Sequence, residues 1–456
     1  MEKSLTTDNI FKTVVRFSIP YFLSFFLQTL YGMADLFIIG QFNGVNSTTA
    51  VSIGSQVMHM ITVMIVGLAM GTTVMVGRAV GAKRLDQAED TVGNTIVLFM
   101  TLSILSAVLL LIGVDQITQW MSTPPAAVEG TKIYLIICFI GIPFVTAYNI
   151  ISSIFRGLGD SKSPMYFIAI ACAANIILDY VFIGGFKLGP AGAALGTTLS
   201  QTISVIISLM VILKRKQVIS LSRKNFKVQI RILSGLLKIG VPVALQDGFI
   251  QVAFIVITII ANRRGLNDAA AVGIVEKIIG ILFLVPSSML SSVSALASQN
   301  IGAGLHQRAR LVLRYAILLS VGWGILAVII MQLFPEQFVG LFVDQNSPGG
   351  KEVVRLGAQY MRGYVWDCIL AGIHFSFSGF FCAYELSMIP FIHNVISILF
   401  ARIPLSYLAS IYYPDTLFPM GLASPLGSLV SVVICLGVYL WMRKRLPSQD
   451  FQKSQE

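Results

Sequence analysis

The sequence predicts an all-α integral membrane protein, with twelve transmembrane helices forming two parallel six-helix repeats (an N-lobe and a C-lobe) around a central cleft. Three observations lead there. Apolar residues make up 55% of the chain and charged residues only 12%, about half the charged share of a soluble domain. Runs of roughly 20 apolar residues recur from end to end, each long enough to cross about 30 Å of hydrocarbon as a helix. The second half also repeats the first at an offset of about 221–226 residues. Arg16-Phe17-Ser18-Ile19-Pro20 returns as Lys238-Ile239-Gly240-Val241-Pro242, and Arg78-Ala79-Val80-Gly81-Ala82 as Gln299-Asn300-Ile301-Gly302-Ala303. Ser161-Lys162-Ser163-Pro164 returns as Ser387-Met388-Ile389-Pro390. A duplicated hydrophobic chain of this kind is the layout of a secondary transporter.

The spans fall at 14–41, 50–77, 93–114, 132–155, 164–186 and 190–213 in the first half. In the second they fall at 235–261, 270–298, 311–333, 356–382, 388–410 and 420–442. They are too long, and alternate too little, for barrel strands, so lipid leaves helices as the spanning element. This divides the chain into an N-lobe at 1–213, a polar basic linker at 214–234, a C-lobe at 235–445 and a short tail at 446–456. Six spans per lobe is an even number, so the lobes run parallel. Basic residues crowd the linker from Lys214 to Lys238 and close the last span as Arg443-Lys444-Arg445. The opposite loops hold only Lys132, Lys187, Arg263, Arg264, Lys351 and Arg355. That bias places both termini in the cytoplasm of a multi-pass protein of the cell membrane. It also accounts for the net charge of +11 without a soluble basic domain to hold nucleic acid.

Several chemistries are excluded. The first apolar segment has no small-residue cleavage site behind it and reads as a retained helix. The five cysteines, Cys138, Cys172, Cys368, Cys382 and Cys435, all lie within spans, which argues against disulfides and against a cysteine metal site. Gly77-Arg78-Ala79-Val80-Gly81-Ala82-Lys83 lacks phosphate-loop spacing. No nucleophile stands with a base, so no enzyme activity and no cofactor are expected. Uphill transport would then draw on an ion gradient. The glycines, arginines and prolines of the short cytoplasmic connections read as turn chemistry and helix capping.

The candidate chemistry lies in acids within the spans. Asp35 in the first span and Asp179 in the fifth each follow a proline, Pro20 or Pro164, by 15 residues. At 1.5 Å per residue both lie roughly 22 Å beyond their prolines, at matched depth. A carboxylate at mid-bilayer costs on the order of 3 kcal/mol even on the mildest scale, so it faces a wet cavity, pairs, or carries a proton. Asn175 shares a face with Asp179, and Tyr31 with Asp35, while Gln28 lies two turns below Asp35. Gln28, Tyr31, Asp35, Asn175 and Asp179 thus form one polar cluster, either an ion or substrate site or a hydrogen-bond network locking two helices. The repeat partners of Asp35 (Val256 or Ile257) and of Asp179 (Leu405) are not acidic, which favours a cation site confined to the N-lobe.

Other polar residues are candidates for the cleft wall. Glu276-Lys277 occupies the register of Ser55-Gln56, so Gln56 and Glu276 are both placed there, and Gln251 shares a face with Asp247. Asp367 and Arg362 fall in the outer half of the tenth span. Arg402 reads either as a cavity charge or as an interfacial snorkeller. His59, His374 and His393 read as isolated packing or hydrogen-bonding residues, and Gly192 and Gly196 as helix-packing sites.

Taken together, the Ile19-Pro20 pair, the Asp35 segment ending in Ile39-Gly40, the string FRGLGDSKSP from Phe155 to Pro164 and Gln299-Asn300-Ile301-Gly302-Ala303-Gly304 resemble the multidrug and toxic-compound extrusion (MATE) family. The resemblance covers nearly the whole chain. Asp35 with Asn175-Ile176-Ile177-Leu178-Asp179 is similar to the DinF-like and MepA-like prokaryotic branch. The resemblance implies that Asp35, Asn175 and Asp179 bind the coupling cation, H+ or Na+, with no other metal. By position it matches Pro20 to a helix bend and sets Thr197 and Thr198 beside the same site. It implies a V-shaped alternating-access antiporter exporting cationic or amphiphilic small molecules, with no obligate protein partner. The chain departs from the NorM branch, whose seventh-helix glutamate is replaced here by Ile250 or Gln251. A lipid-linked oligosaccharide flippase is the alternative of the same architecture, but its cleft would be basic.

Overall fold

Lipid offers no partner for a free backbone amide or carbonyl, and the apolar runs close all of theirs internally as helices. The computed structural model describes residues 5–214, 221–343 and 348–444. Among these no strand occurs. Residues 215–220 of the expected linker and the expected tail lie outside the described residues. Among the described residues eleven helices are long and apolar enough to cross a membrane, and a pair bent by 42° makes a twelfth span when taken together.

The first half runs α1 (Ile10–Phe42), α2 (Val45–Gly81), α3 (Leu85–Ile112), the short α4 (Val114–Trp120), α5 (Val128–Leu158), α6 (Lys162–Asp179) and α7 (Pro190–Lys214). A π-helical stretch, Tyr180–Gly185, continues α6. The second half runs α8 (Ile230–Arg264), α9 (Leu266–Leu282), α10 (Leu284–Gly302), α11 (His306–Leu333), the short α12 (Pro335–Gly340), α13 (Gly350–Tyr364), α14 (Asp367–Ala383), α15 (Met388–Ser397), α16 (Ile403–Tyr412) and α17 (Phe418–Arg443). A second π stretch, Ile398–Arg402, joins α15 to α16. The duplication thus extends to details no sequence match carried. A short helix follows the third span of each half, and a π stretch falls in the fifth, at its end in the first half and within it in the second. Single π turns cost hydrogen-bond geometry and recur at functional positions.

By mutual contact the chain divides into two compact units, one of residues 19–244 and the other of Met1–Ser18 with Leu245–Glu456. The division passes through α1 just before Pro20 and through α8 just after Pro242, where a proline cannot donate its backbone hydrogen bond. The opening residues of each of these helices therefore pack with the other half of the sequence. In the unit containing the C-terminal half, Arg308 donates to the Asp8 carbonyl at 2.7 Å and Phe11 meets Tyr315 edge-on, their centroids 5.5 Å apart. In the N-terminal-half unit, a side chain on Gly71 would strike the Leu236 carbonyl, and one on Gly240 the Leu68 carbonyl. Two glycines thus let α2 and α8 cross backbone to backbone.

The same unit holds the chain after α7. Asn225 is buried and donates to Asp90 at 2.8 Å, while Asn94 accepts from the Gln229 amide at 2.7 Å. Asp160 caps α6 by accepting from the amides of Lys162 and Ser163 at 2.9 and 3.0 Å. Arg156 stacks over Tyr21 at 4.1 Å. The FRGLGDSKSP string is thereby explained as capping and packing. On α3, Ile104, Leu105, Val108, Leu109 and Ile112 stay exposed, an apolar surface that lipid covers.

Candidate cation-coupling site

Asp35 on α1 and Asp179 at the end of α6 are both buried, at 3% and 0% exposure. They lie within one unit, and their carboxyls meet side by side, with the fully buried Asn175 against Asp35. Thr197, on α7, donates to Asp35 Oδ2 at 3.0 Å. A side chain on Gly196 would collide with Asp179 Oδ1 and come within 3.6 Å of Asn175 Nδ2. The matched depth of the two acids thus ends in contact, and α7 closes the third side.

The hydrogen bonding is incomplete. Oδ1 of Asp35, both carboxyl oxygens of Asp179 and both amide atoms of Asn175 have no hydrogen-bond partner among the described residues. Neither carboxyl forms an ion pair there. Buried carboxylates side by side repel unless a proton or cation lies between them. Orphaned polar atoms in an apolar interior are costly, and here they belong to three neighbouring side chains. A proton shared by the acids would relieve their repulsion, and so would a hard cation taking oxygens from Asp35, Asp179, Asn175 and Thr197.

Around this centre the structure places Tyr31 half-buried near Gln201, with Asp35 within its electrostatic reach. Cys138, Tyr134 and Thr198 form an adjoining polar patch, and Gly141 lets α5 approach Thr198. Gln201 is one turn beyond Thr197, an i, i+4 pair that could have marked it in the sequence. Gln28 is half-buried and makes no hydrogen bond among the described residues. Pro20 lies inside α1, where Ser24 bonds back to its carbonyl at 2.8 Å. Gln56 is exposed on α2.

Two candidates fall in the other unit. Gln251 is half-buried on α8. Glu276 on α9 accepts from Thr258 at 3.4 Å and senses Arg402. Arg402 itself is buried, so it does not snorkel to an interface. His374 and His393 are not isolated as expected: their rings meet edge-on at 5.6 Å, and His393 Nε2 bonds Ser378 at 3.1 Å. They come from α14 and α15, and nothing in a single sequence joins those positions.

A duplicated bundle of apolar helical spans, without a strand among the described residues, defines a multi-span helical membrane protein. The MatE family model matches it twice, over residues 20–181 and 242–408, once in each repeat and starting at each proline. The chain belongs to the MatE family. It is 27% identical over 447 residues to the probable multidrug resistance protein YoeA of Bacillus subtilis, covering 96% of both chains. It is 25% identical over 372 residues to the multidrug export protein MepA of Staphylococcus aureus, covering 81% of each. Among solved structures it shares the fold of a MATE crystallised in complex with MaL6, with a TM-score of 0.89, 22% identity and 97% coverage of both chains. A MOP superfamily transporter from Pyrococcus furiosus matches with a TM-score of 0.88 at the same identity and coverage.

Proposed function

We propose that this protein is a secondary active multidrug efflux antiporter of the cell membrane. It exports organic cations or amphiphilic compounds in exchange for H+ or Na+ by alternating access, with both termini in the cytoplasm. The observation that carries this reading is the pair of buried carboxyls, Asp35 and Asp179, touching with no basic partner among the described residues. A group that must gain and lose a cation during a cycle needs such an electrostatic vacancy. A permanent ion pair would fill it. The names of the relatives, multidrug resistance and export proteins, support the substrate class and a transporter rather than an enzyme.

In this mechanism a proton entering from outside settles between Asp35 and Asp179 and removes their mutual repulsion. Helix α1 repacks about Pro20, and the substrate site loses affinity. Release of the proton to the cytoplasm restores the charge and the affinity for a cationic substrate. Each proton brings about 2.3 kcal/mol per 100 mV of membrane potential, and about 1.4 kcal/mol suffices for a tenfold gradient. Coupling to sodium would instead use the carboxylate, amide and hydroxyl oxygens together as ligands. The test is efflux of a fluorescent organic cation from proteoliposomes under an imposed pH or sodium gradient. Gradient-driven movement by the wild type, lost in Asp35→Asn, is the expected result. Movement indifferent to both gradients would refute the antiport.

A further inference from the structure

The unit containing the C-terminal half buries its own charged cluster, and it is built differently. Arg402 ends the second π stretch and is 8% exposed. Its guanidinium lies 4.7 Å over the Phe254 ring and donates through Nη2 to the Tyr364 hydroxyl. Asp367 from α14 is 1% exposed, and Asp367 and Glu276 from α9 lie within its electrostatic reach, as do Tyr360 and Tyr364 from α13. His374 on α14 is a further titratable neighbour. No ion pair closes the group among the described residues. Arg402 Nε, Asp367 Oδ1 and Glu276 Oε1 are each buried without a hydrogen-bond partner.

The repeat gives this cluster its meaning. At the offset joining Pro164 to Pro390, Asn175 pairs with Ala401 and Asp179 with Leu405. In repeat register Arg402 therefore falls within the segment that corresponds to the cation site, one turn before the partner of Asp179. The same span brings an acid to one unit and a base to the other. The first unit buries Asp35 and Asp179, and in the second the buried Asp367 and the half-buried Glu276 lie around Arg402. In the first, no basic side chain among the described residues offsets the pair. In the second, a guanidinium does so, and a guanidinium neither deprotonates in a protein nor leaves its stem.

We propose that Arg402 is a tethered counter-cation. It holds, beside Asp367 and Glu276, the electrostatic place that an exchangeable cation holds at Asp35 and Asp179, and so excludes alkali cations from this unit. The inference rests on reading Asp35 and Asp179 as the ion site, but its test reads binding rather than transport.

Thermal unfolding of the purified full chain in detergent is followed in sodium or lithium chloride against choline chloride at equal ionic strength. In an Asp35→Asn/Asp179→Asn background the expected shift between salts is nil. Adding Arg402→Gln should create an alkali-dependent rise of about 3 °C or more, which Asp367→Asn then abolishes and which Arg402→Lys does not produce. An alkali-dependent shift with Arg402 intact overturns the proposal, and so does a folded Arg402→Gln protein blind to sodium and lithium. If Arg402→Gln does not fold, Asp367→Asn added to it decides. Recovery of folded protein supports the counter-charge, and continued misfolding overturns it. Loss of gradient coupling in the wild type would count against the antiport alone, because these salt-dependent shifts do not use transport.

Discussion

Gly196 is the position where the acid pair can be disturbed without altering a charge. A methyl there would collide with Asp179 Oδ1, and overpacking of this kind costs about 1–3 kcal/mol when neighbours must move. Gly196→Ala should therefore cut gradient-driven efflux about tenfold at normal expression. Gly437→Ala, where nothing lies within 4 Å of the added atom, should leave efflux unchanged. Equal efflux by both variants would separate Asp179 from coupling. The acids themselves give the second residue-scale expectation. If Asp35 and Asp179 hold one cation between them, either Asn variant removes the site. The double variant should then be little worse than either single one, measured by efflux and counter-ion uptake across about pH 5.5–8. Additive losses would mean two separate sites. The proximity of these two residues was legible in the sequence, since their equal distance from two prolines fixes their depth. Thr197 and Gln201 were not placed by the same argument, because depth along one helix says nothing about which neighbour turns toward it.

The helix ends carry an internal comparison that the repeat makes available. Lys83 after α2 has φ 57° and its repeat partner Gly304 after α10 has φ 77°, both left-handed. The closures match as well. Arg84 donates to the Ala79 carbonyl at 2.9 Å and Leu305 to the Asn300 carbonyl at 2.8 Å, the six-to-one bond of a Schellman end. Gly159 and Glu385 form the second such pair, at φ 96° and 62°. In each pair one repeat uses glycine and the other bears a Cβ in a conformation that disfavours it by about 1 kcal/mol or more. Lys83→Gly should therefore raise stability by about 1 kcal/mol, and Gly304→Ala should lower it by a similar amount. Thermal unfolding in detergent reads both, and an opposite sign at either position would show that the turn is not limited by backbone strain. The connections were legible as turns because glycine and proline punctuate them. The left-handed lysine was not, since side-chain type gives no hint of a φ imposed by the closing bond. The π stretches escaped for a related reason: no residue type specifies an inserted helical residue.

For the molecule as a whole, the number of spans and their duplication were legible because the bilayer imposes a length and a polarity that few other environments do. The division into units at Pro20 and Pro242 was not, because it is set by which helix ends pack together rather than by where the sequence repeats. The charge bias argues the orientation, with both termini inside. Arg84 and Ala303 lie in exposed turns after α2 and α10, while Asn46 and Asp415 are exposed at the opposite ends of spans. Single cysteines at Arg84 or Ala303 should react with a membrane-impermeant maleimide only in inverted vesicles. Those at Asn46 or Asp415 should react only in intact cells. The five native cysteines are all buried, so background labelling should be low, and a five-fold alanine or serine replacement can remove what remains. Labelling with the sides reversed would invert the topology. Export would not reverse with it, because the proton gradient and the exchange stoichiometry set the direction of an antiport in either orientation; what reversed labelling would overturn is the charge bias as the guide to which face each loop occupies.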